Sequence, residues 1–222
     1  MKLEHWELMQ GQRGKVLREQ FGEVPLPQEY RPFTDKEQRA LIKDGAVILD
    51  LEVGTTIEGQ QKTGRLFRDI VDGGDRLLKA SSIIPQVAIY PAPERFSIPN
   101  SGNKDLSTQE KLAERDGKKL RKRLGLKDDG VDVIIPDQAS TLTELIFKYL
   151  DETTKQGEGV WLFGPDYGYL YGRTKNPVNE SGSRVAIVGN AGPDIGVFVN
   201  DWFRGGGLFN VLVVRLVVAK KK

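Results

Sequence analysis

The chain contains no cysteine, a single histidine, and almost no surplus of charge. Without thiols it has no disulfides, thiolate metal sites, dithiol redox chemistry or cysteine nucleophile. The one histidine, His5, rules out multi-histidine metal sites. It leaves Ser-His-Asp catalysis one candidate base, near a terminus, with nothing else to recommend it. Lysine and arginine number 33 against 31 acidic residues, a net of +2, so the chain is not built as a general polyanion binder. Long apolar runs are missing too. The most apolar stretch, residues 211–219, is interrupted by Arg215, and a membrane span needs roughly 20 apolar residues. Residues 1–20 mix Glu4, Glu7, Arg13, Lys15, Arg18 and Glu19 into the segment with no apolar centre, which predicts no export signal and a cytoplasmic protein. No phosphate loop of the Walker type, dinucleotide fingerprint, zinc motif, helix-turn-helix or RNP signature occurs.

What is present is the composition of a soluble globular protein, 38% hydrophobic and 29% charged. Four Ser/Thr-x-x-Glu boxes mark helix starts: Thr34 with Glu37, Thr55 with Glu58, Ser107 with Glu110, and Thr141 with Glu144. They predict helices over residues 35–44, 56–71, 107–124 and 141–150. Short apolar runs predict strands over residues 46–51, 86–90, 131–135 and 160–163. The order strand, helix, strand, helix, strand from residue 86 to 163 predicts crossover connections and a parallel sheet. Beyond Gly164 helix signals vanish. Strands over residues 167–173, 185–188, 196–202 and 208–219, joined by glycine-rich turns, predict an antiparallel meander. The expected class is α+β (or α/β), a central mixed sheet with a βαβαβ middle section and an antiparallel β-rich C-terminal third. Residues 1–32, cut off by Pro25, Pro27 and Pro32, are expected to form a loosely ordered arm, and residues 33–222 a single α+β domain.

Four segments carry candidate chemistry. Asp50 and Glu52 end an apolar strand, share one face at about 6–7 Å, and could hold Mg²⁺ through oxygen ligands. The bland alternative is a polar strand end. The segment 46–52 followed by Thr55 is similar to the nucleophile loop of haloacid-dehalogenase-type phosphotransferases. Glu52 stands where that pattern has a second Asp, and the family's later lysine and acidic motifs find no matching strand ends, so that family is not assigned. Residues 111–127 hold eight basic residues against Glu114 and Asp116. No aromatic residue interrupts the run to stack bases, so a solvated helix face is expected and a nucleic-acid partner is not. The segment Asn179-Glu180-Ser181-Gly182-Ser183-Arg184 can expose backbone N–H groups as an anion nest, with charge from Arg173, Lys175 and Arg184 and with Glu180 the only nearby acid. Its plain alternative is a polar strand connection. Tyr167, Tyr169 and Tyr171 fall on one face if the chain is extended there, as a ligand-lining row or as the wet edge of the core.

The function expected from these segments is non-catalytic. The protein would bind a small anionic ligand or a protein partner at Arg173, Lys175, Glu180, Ser181, Gly182, Ser183 and Arg184, with Tyr167 and Tyr169 alongside. The alternative is a Mg²⁺-dependent phosphotransferase or hydrolase using Asp50 and Glu52. No cofactor is expected outside that alternative, where Mg²⁺ would serve. No membrane partner is expected. An exposed valine-rich final strand would favour homo-oligomerisation, a homodimer above all.

Overall fold

The computed structural model describes residues 29–126 and 130–221. The protein is α+β. The capping box at Thr34 forms as expected: its side chain accepts from Glu37 N while Glu37 reaches back, opening α1 (Asp35–Lys43). The chain then runs into β2 (Val47–Asp50), which follows the short β1 (Tyr30–Arg31). Of the expected arm, residues 1–28 lie outside the described residues, while Tyr30 is buried in the body.

The helix expected over residues 56–71 is cut short. Thr56, not Thr55, is the N-cap, and α2 covers only Ile57–Lys62. Gly64 at φ +81° ends the turn, and Phe67–Ile70 leaves as strand β3. The one-turn α3 (Asp75–Leu78) leads to β4 (Gln86–Ile89), buried along its whole length. After the short α4 (Pro93–Phe96) comes the long α5 (Leu106–Leu124), closed by Gly125 in the left-handed conformation. Its cap is Asp105 rather than Ser107, and accepts from Thr108 N at 2.8 Å. Strand β5 (Val131–Ile134) and α6 (Ala139–Lys155) follow. Thr141 lies inside α6, so the fourth expected box does not exist.

The remaining strands are β6 (Tyr171–Pro177), β7 (Arg184–Gly192), β8 (Gly196–Phe203), β9 (Val211–Leu212) and β10 (Leu216–Lys220). They divide between two sheets. In the first, β10 pairs antiparallel with β5 over Leu216–Ala219 and, along its other edge, with β4 and β1; β4 pairs antiparallel with β2. In the second, the antiparallel β6-β7-β8 meander gains β3 and β9 as parallel edge strands, which makes it mixed.

Two expectations about the middle section are corrected. No strand forms over residues 160–163. Gly159 and Phe163 have positive φ and turn the chain, so Leu162 and Phe163 enter the core from a loop. Strands β4 and β5 do run the same way, linked through α5, but β10 is inserted antiparallel between them, so no parallel neighbours arise in that sheet. The valine-rich final segment is likewise split. It leaves the second sheet at Leu212 and joins the first at Leu216, where both its edges are paired. Within β10 neither edge is left open, whereas β9 remains an edge strand of the second sheet.

Period-two alternation organises the layers. Val87, Ile89, Leu216 and Val218 face a core that contains Leu142, Leu145 and Ile146 of α6 and Val188, Val197 and Val199 of the second sheet. Their neighbours Ala88, Val217 and Ala219 face the other way, onto Leu41 of α1 and Ala113 and Leu120 of α5. Helix α6 is thus shared between the two sheets, and residues 139–147 are buried on every side. Among the described residues no helix is long and apolar enough to cross a membrane.

Candidate functional site

The polar segments converge on the glycine-rich loop that follows β8. Its backbone is tied on both sides: Arg204 N donates to Ser183 O at 2.8 Å, and Leu106 N donates to Arg204 O at 2.9 Å. The connection between β6 and β7, loop 203–207 and the start of α5 therefore form one surface. Glycine is demanded at Gly207, where a Cβ would lie 2.4 Å from Asn103 C; one on Gly206 would meet Phe203 Cβ at 3.2 Å and Trp202 Nε1 at 3.4 Å.

Arg173 lies beneath this loop. It projects from β6 and is 1% exposed. Its Nη2 donates to Gly206 O at 2.9 Å and its Nη1 to Lys104 O at 3.4 Å. Its Nε has no partner. The charge of Asp105 acts on it without a direct bond, both Asp105 oxygens accepting from Thr108 at the start of α5. Burial pulls the Arg173 pKa below the usual arginine value. Two further buried atoms lack partners nearby. Trp202 Nε1 faces Gly206, and Gln109 Oε1 belongs to a side chain whose amide donates to Ser101 O and Val211 O. On the outer surface Lys104 and Arg204 are exposed cations without ion pairs among the described residues, and the rings of Phe203 and Phe209 are exposed beside them in sequence.

The expected anion nest is folded onto itself. Ser181 and Ser183 share a hydroxyl contact at 2.8 Å, Asn179 Nδ2 donates to Ser183 Oγ at 2.9 Å, and Arg184 N donates to Asn179 Oδ1 at 3.1 Å. Gly182 takes the left-handed conformation this turn requires, and its N–H is used by Asn179 O. Arg184 forms a two-pronged pair with Asp201 and stacks on Phe203, with the guanidinium 4.6 Å from the ring centre. Glu180 is exposed. Lys175 points elsewhere, to Asp137 at 2.7 Å. Of the charged residues expected to act together, Arg173 bonds to Gly206 O and Arg184 stacks on Phe203 at the start of the same loop, while Lys175 turns to Asp137.

The tyrosine row does not form. A 3-10 turn at Pro165–Tyr167 replaces the extended chain. Tyr167 is buried and donates to Pro91 O at 2.7 Å, its ring edge-on to Phe96, whereas Tyr169 is exposed with φ +52°. The basic helix keeps a solvated face: Lys111, Arg115, Lys119 and Lys122 are exposed without ion pairs among the described residues, and three of its cations are engaged. Arg121 is buried and bonds to Val131 O and Asp132, Arg123 reaches Asp44, and Lys118 pairs with Glu114. Lys127 lies outside the described residues.

At the end of β2, Asp50 Oδ1 accepts from Gln86 Nε2 at 2.7 Å and Glu52 is exposed. The carboxyl here that sequence reasoning missed is Glu144 of α6, whose Oε1 accepts the backbone N–H of Glu52. Burial pushes its pKa up to about 8, and the Glu52 N–H only partly opposes this. Its other oxygen is buried without a partner. One signal could have revealed it: the stretch 139–147 is apolar or small on all faces, and Glu144 is the only ionisable residue in it. Among the described residues no group of three histidine, cysteine or acidic side chains is placed to hold a metal ion.

Searches against protein families, curated proteins and solved structures each return no match for this chain.

Proposed function

We propose that the protein is a non-catalytic, cytoplasmic binding protein that takes a small anionic ligand, or an anionic group of a protein partner, at loop 203–207. The observation that carries this reading is Arg173. A guanidinium taken out of water is costly unless a charge of opposite sign answers it. Here the answer is two carbonyl oxygens, and Nε–H remains unused. An anionic oxygen between Arg173 and the Trp202 N–H would satisfy both donors, with Lys104 and Arg204 drawing it in from outside. Entry requires residues 205–207 to lift. Three successive glycines allow that backbone change without side-chain clashes. Ser181, Ser183 and Arg184 then form the rim.

The test is a thermal-melt series at low ionic strength with inorganic phosphate, sulfate and a nucleoside monophosphate. Binding to the native state alone raises Tm with ligand concentration. The expected outcome is a rise for at least one of them that Arg173→Met abolishes. A wild-type Tm that ignores all three, or a rise that Arg173→Met retains, overturns the reading.

A further inference from the structure

The chain as a whole is nearly neutral, but the fold sorts its charge. Helix α5 shows the sorting most plainly. Lys111, Arg115, Lys119 and Lys122 recur at helical spacing, so they fall within about 80° of arc and climb about 6 Å for each four-residue step. All four are exposed, and none has an ion pair among the described residues. The acids of the same helix are drawn off. Asp116 accepts from Arg215 at 2.8 Å, and Glu114 is taken by Lys118. Glu110 is the exposed acid left, about 100° round the helix from Lys111.

The support beneath this row is rigid. A Cβ on Gly117 would lie 2.5 Å from Asp132 Oδ1 and 3.0 Å from Val133 N, so the helix backbone rests directly on β5. Arg121 ties it there through Val131 O at 2.8 Å and Asp132 at 2.9 Å. A wet helix face is stabilised when charge alternates in sign at i,i+4, and like charges at that spacing repel. Lys111, Arg115 and Lys119 are held in the repelling arrangement. A row of phosphates along the helix relieves it.

The basic run contains no aromatic residue, but the fold brings two to its start. Asn103 N donates to Leu208 O at 3.0 Å, and a Cβ on Gly102 would lie 2.4 Å from Phe209 O. Residues 207–209 therefore run alongside Lys104 and the entry to α5. Phe209 is 86% exposed, and Phe203, backed by Arg184, is 51% exposed. Rings left in water beside a file of cations suit an unpaired strand, which sets phosphates on the cations and bases on the rings. A duplex keeps its bases stacked on one another, and an acidic helix would answer the cations but leave the rings in water.

We infer that the outer face of α5 is a track for the backbone of a single-stranded nucleic acid, with Phe209 and Phe203 as the stacking platform at its start. This surface lies beyond the small-anion reading, since it uses neither Arg173 nor Trp202.

The test is fluorescence anisotropy of a labelled oligothymidylate of about twenty nucleotides with the full chain, over a series of salt concentrations. Four backbone contacts on a single strand should make log K fall with log salt at a slope of about −3, roughly 0.7 for each contact. Lys111→Gln combined with Lys119→Gln should bring the slope to about half. Phe209→Ala should weaken binding at least about fivefold and leave the slope unchanged, because stacking releases no counterions. These side chains are exposed, so the variants should fold as the wild type does. Arg173→Met should bind the oligonucleotide normally while losing the anion-induced rise in Tm, so the two readings fail separately. Absence of binding at low salt, a slope that the double variant leaves unchanged, or full affinity in Phe209→Ala overturns the track. Equal or tighter binding of the complementary duplex, or displacement by polyglutamate at matched charge, also overturns it, because the partner would then be a duplex or an acidic protein.

Discussion

Glu144 and Glu52 are joined across the fold, the carboxyl of one to the backbone N–H of the other. Through this contact the middle of the chain's most buried helix touches the exposed end of a strand. It also gives the protein's stability an alkaline limb. The folded pKa of Glu144 stands at about 8 against an ordinary 4.5, so the native state keeps a proton that the unfolded chain has lost. The stabilisation is complete below about 4.5, declines as pH rises, and is gone above about 8, at up to ~1.4 kcal/mol per pH unit. Urea unfolding across that window should show the slope in wild type and its absence in Glu144→Gln. Glu144→Ala, which orphans the Glu52 N–H, should cost roughly 1–3 kcal/mol at acid pH.

Arg173→Met should separate binding from stability. Losing the buried guanidinium removes the proposed anion donor and also a desolvated charge, so the variant should fold with stability equal to or above wild type, by analogy with buried ion groups replaced by apolar ones. Differential scanning calorimetry without ligand checks the second half. A loss of more than about 3 kcal/mol would mean that the Gly206 and Lys104 carbonyl bonds are the reason for the arginine.

Gly207→Ala should be damaging although the loop lies at the surface. The new methyl would meet the main chain of Asn103 and Lys104, with Asn103 C at 2.4 Å, and main chain yields less cheaply than the end of a flexible side chain. A cost of roughly 1–3 kcal/mol is expected. Gly205→Ala, where a Cβ meets nothing, should cost less than 1 kcal/mol, about the propensity scale. Paired melts of the two variants make the comparison.

Asp44 should contribute to an acid limb, alongside Glu37 and Asp151. Burial works to raise its pKa, but hydrogen bonds from Tyr90 and Arg123, with the charges of Arg123 and Arg95, bring it below the ordinary aspartate value. The Tyr90 hydroxyl donates at 2.7 Å, and Arg95 and Arg123 donate at 2.9 and 2.6 Å. A depressed carboxylate stabilises above its unfolded pKa and stops doing so as pH falls through the folded one. Asp44→Asn should therefore lower stability at neutral pH by roughly 1–3 kcal/mol and flatten the acid side of the stability profile.

Much of the secondary structure was legible in local chemistry. Thr34 and Glu37 announce α1, Gly125 ends α5, and the apolar runs at β4 and β5 fall where expected. Local chemistry failed where two devices competed. The 56–71 segment has helical spacing of Ile57, Leu66 and Phe67, but Gly64 breaks it and β8 offers β3 a ladder. Thr141 and Glu144 have capping-box spacing, yet the helix begins before them and the glutamate turns inward. At the candidate site, Ser183 O holds Arg204 N of the loop that covers Arg173, and Arg184 stacks on Phe203; the glycine break at 205–207 and Trp202 at a strand end stand out in the sequence, but Gln109 does not, because it bonds a carbonyl 102 residues away.

The sequence alone determined the α+β class, the exclusion of thiol and multi-histidine chemistry, and the ends of the first helix and of α5, since these rest on residue types and on local spacing. Tertiary structure decided how the strands were shared out. The last valine-rich segment reads as one strand, but sheet pairing is a contest among distant edges. It ends one sheet at Leu212 and is inserted between β4 and β5 of the other from Leu216. That insertion is where the expected parallel sheet was lost. The burial of Arg173 and Glu144 has the same origin, because a side chain's desolvation is set by what packs over it and not by its neighbours in the chain.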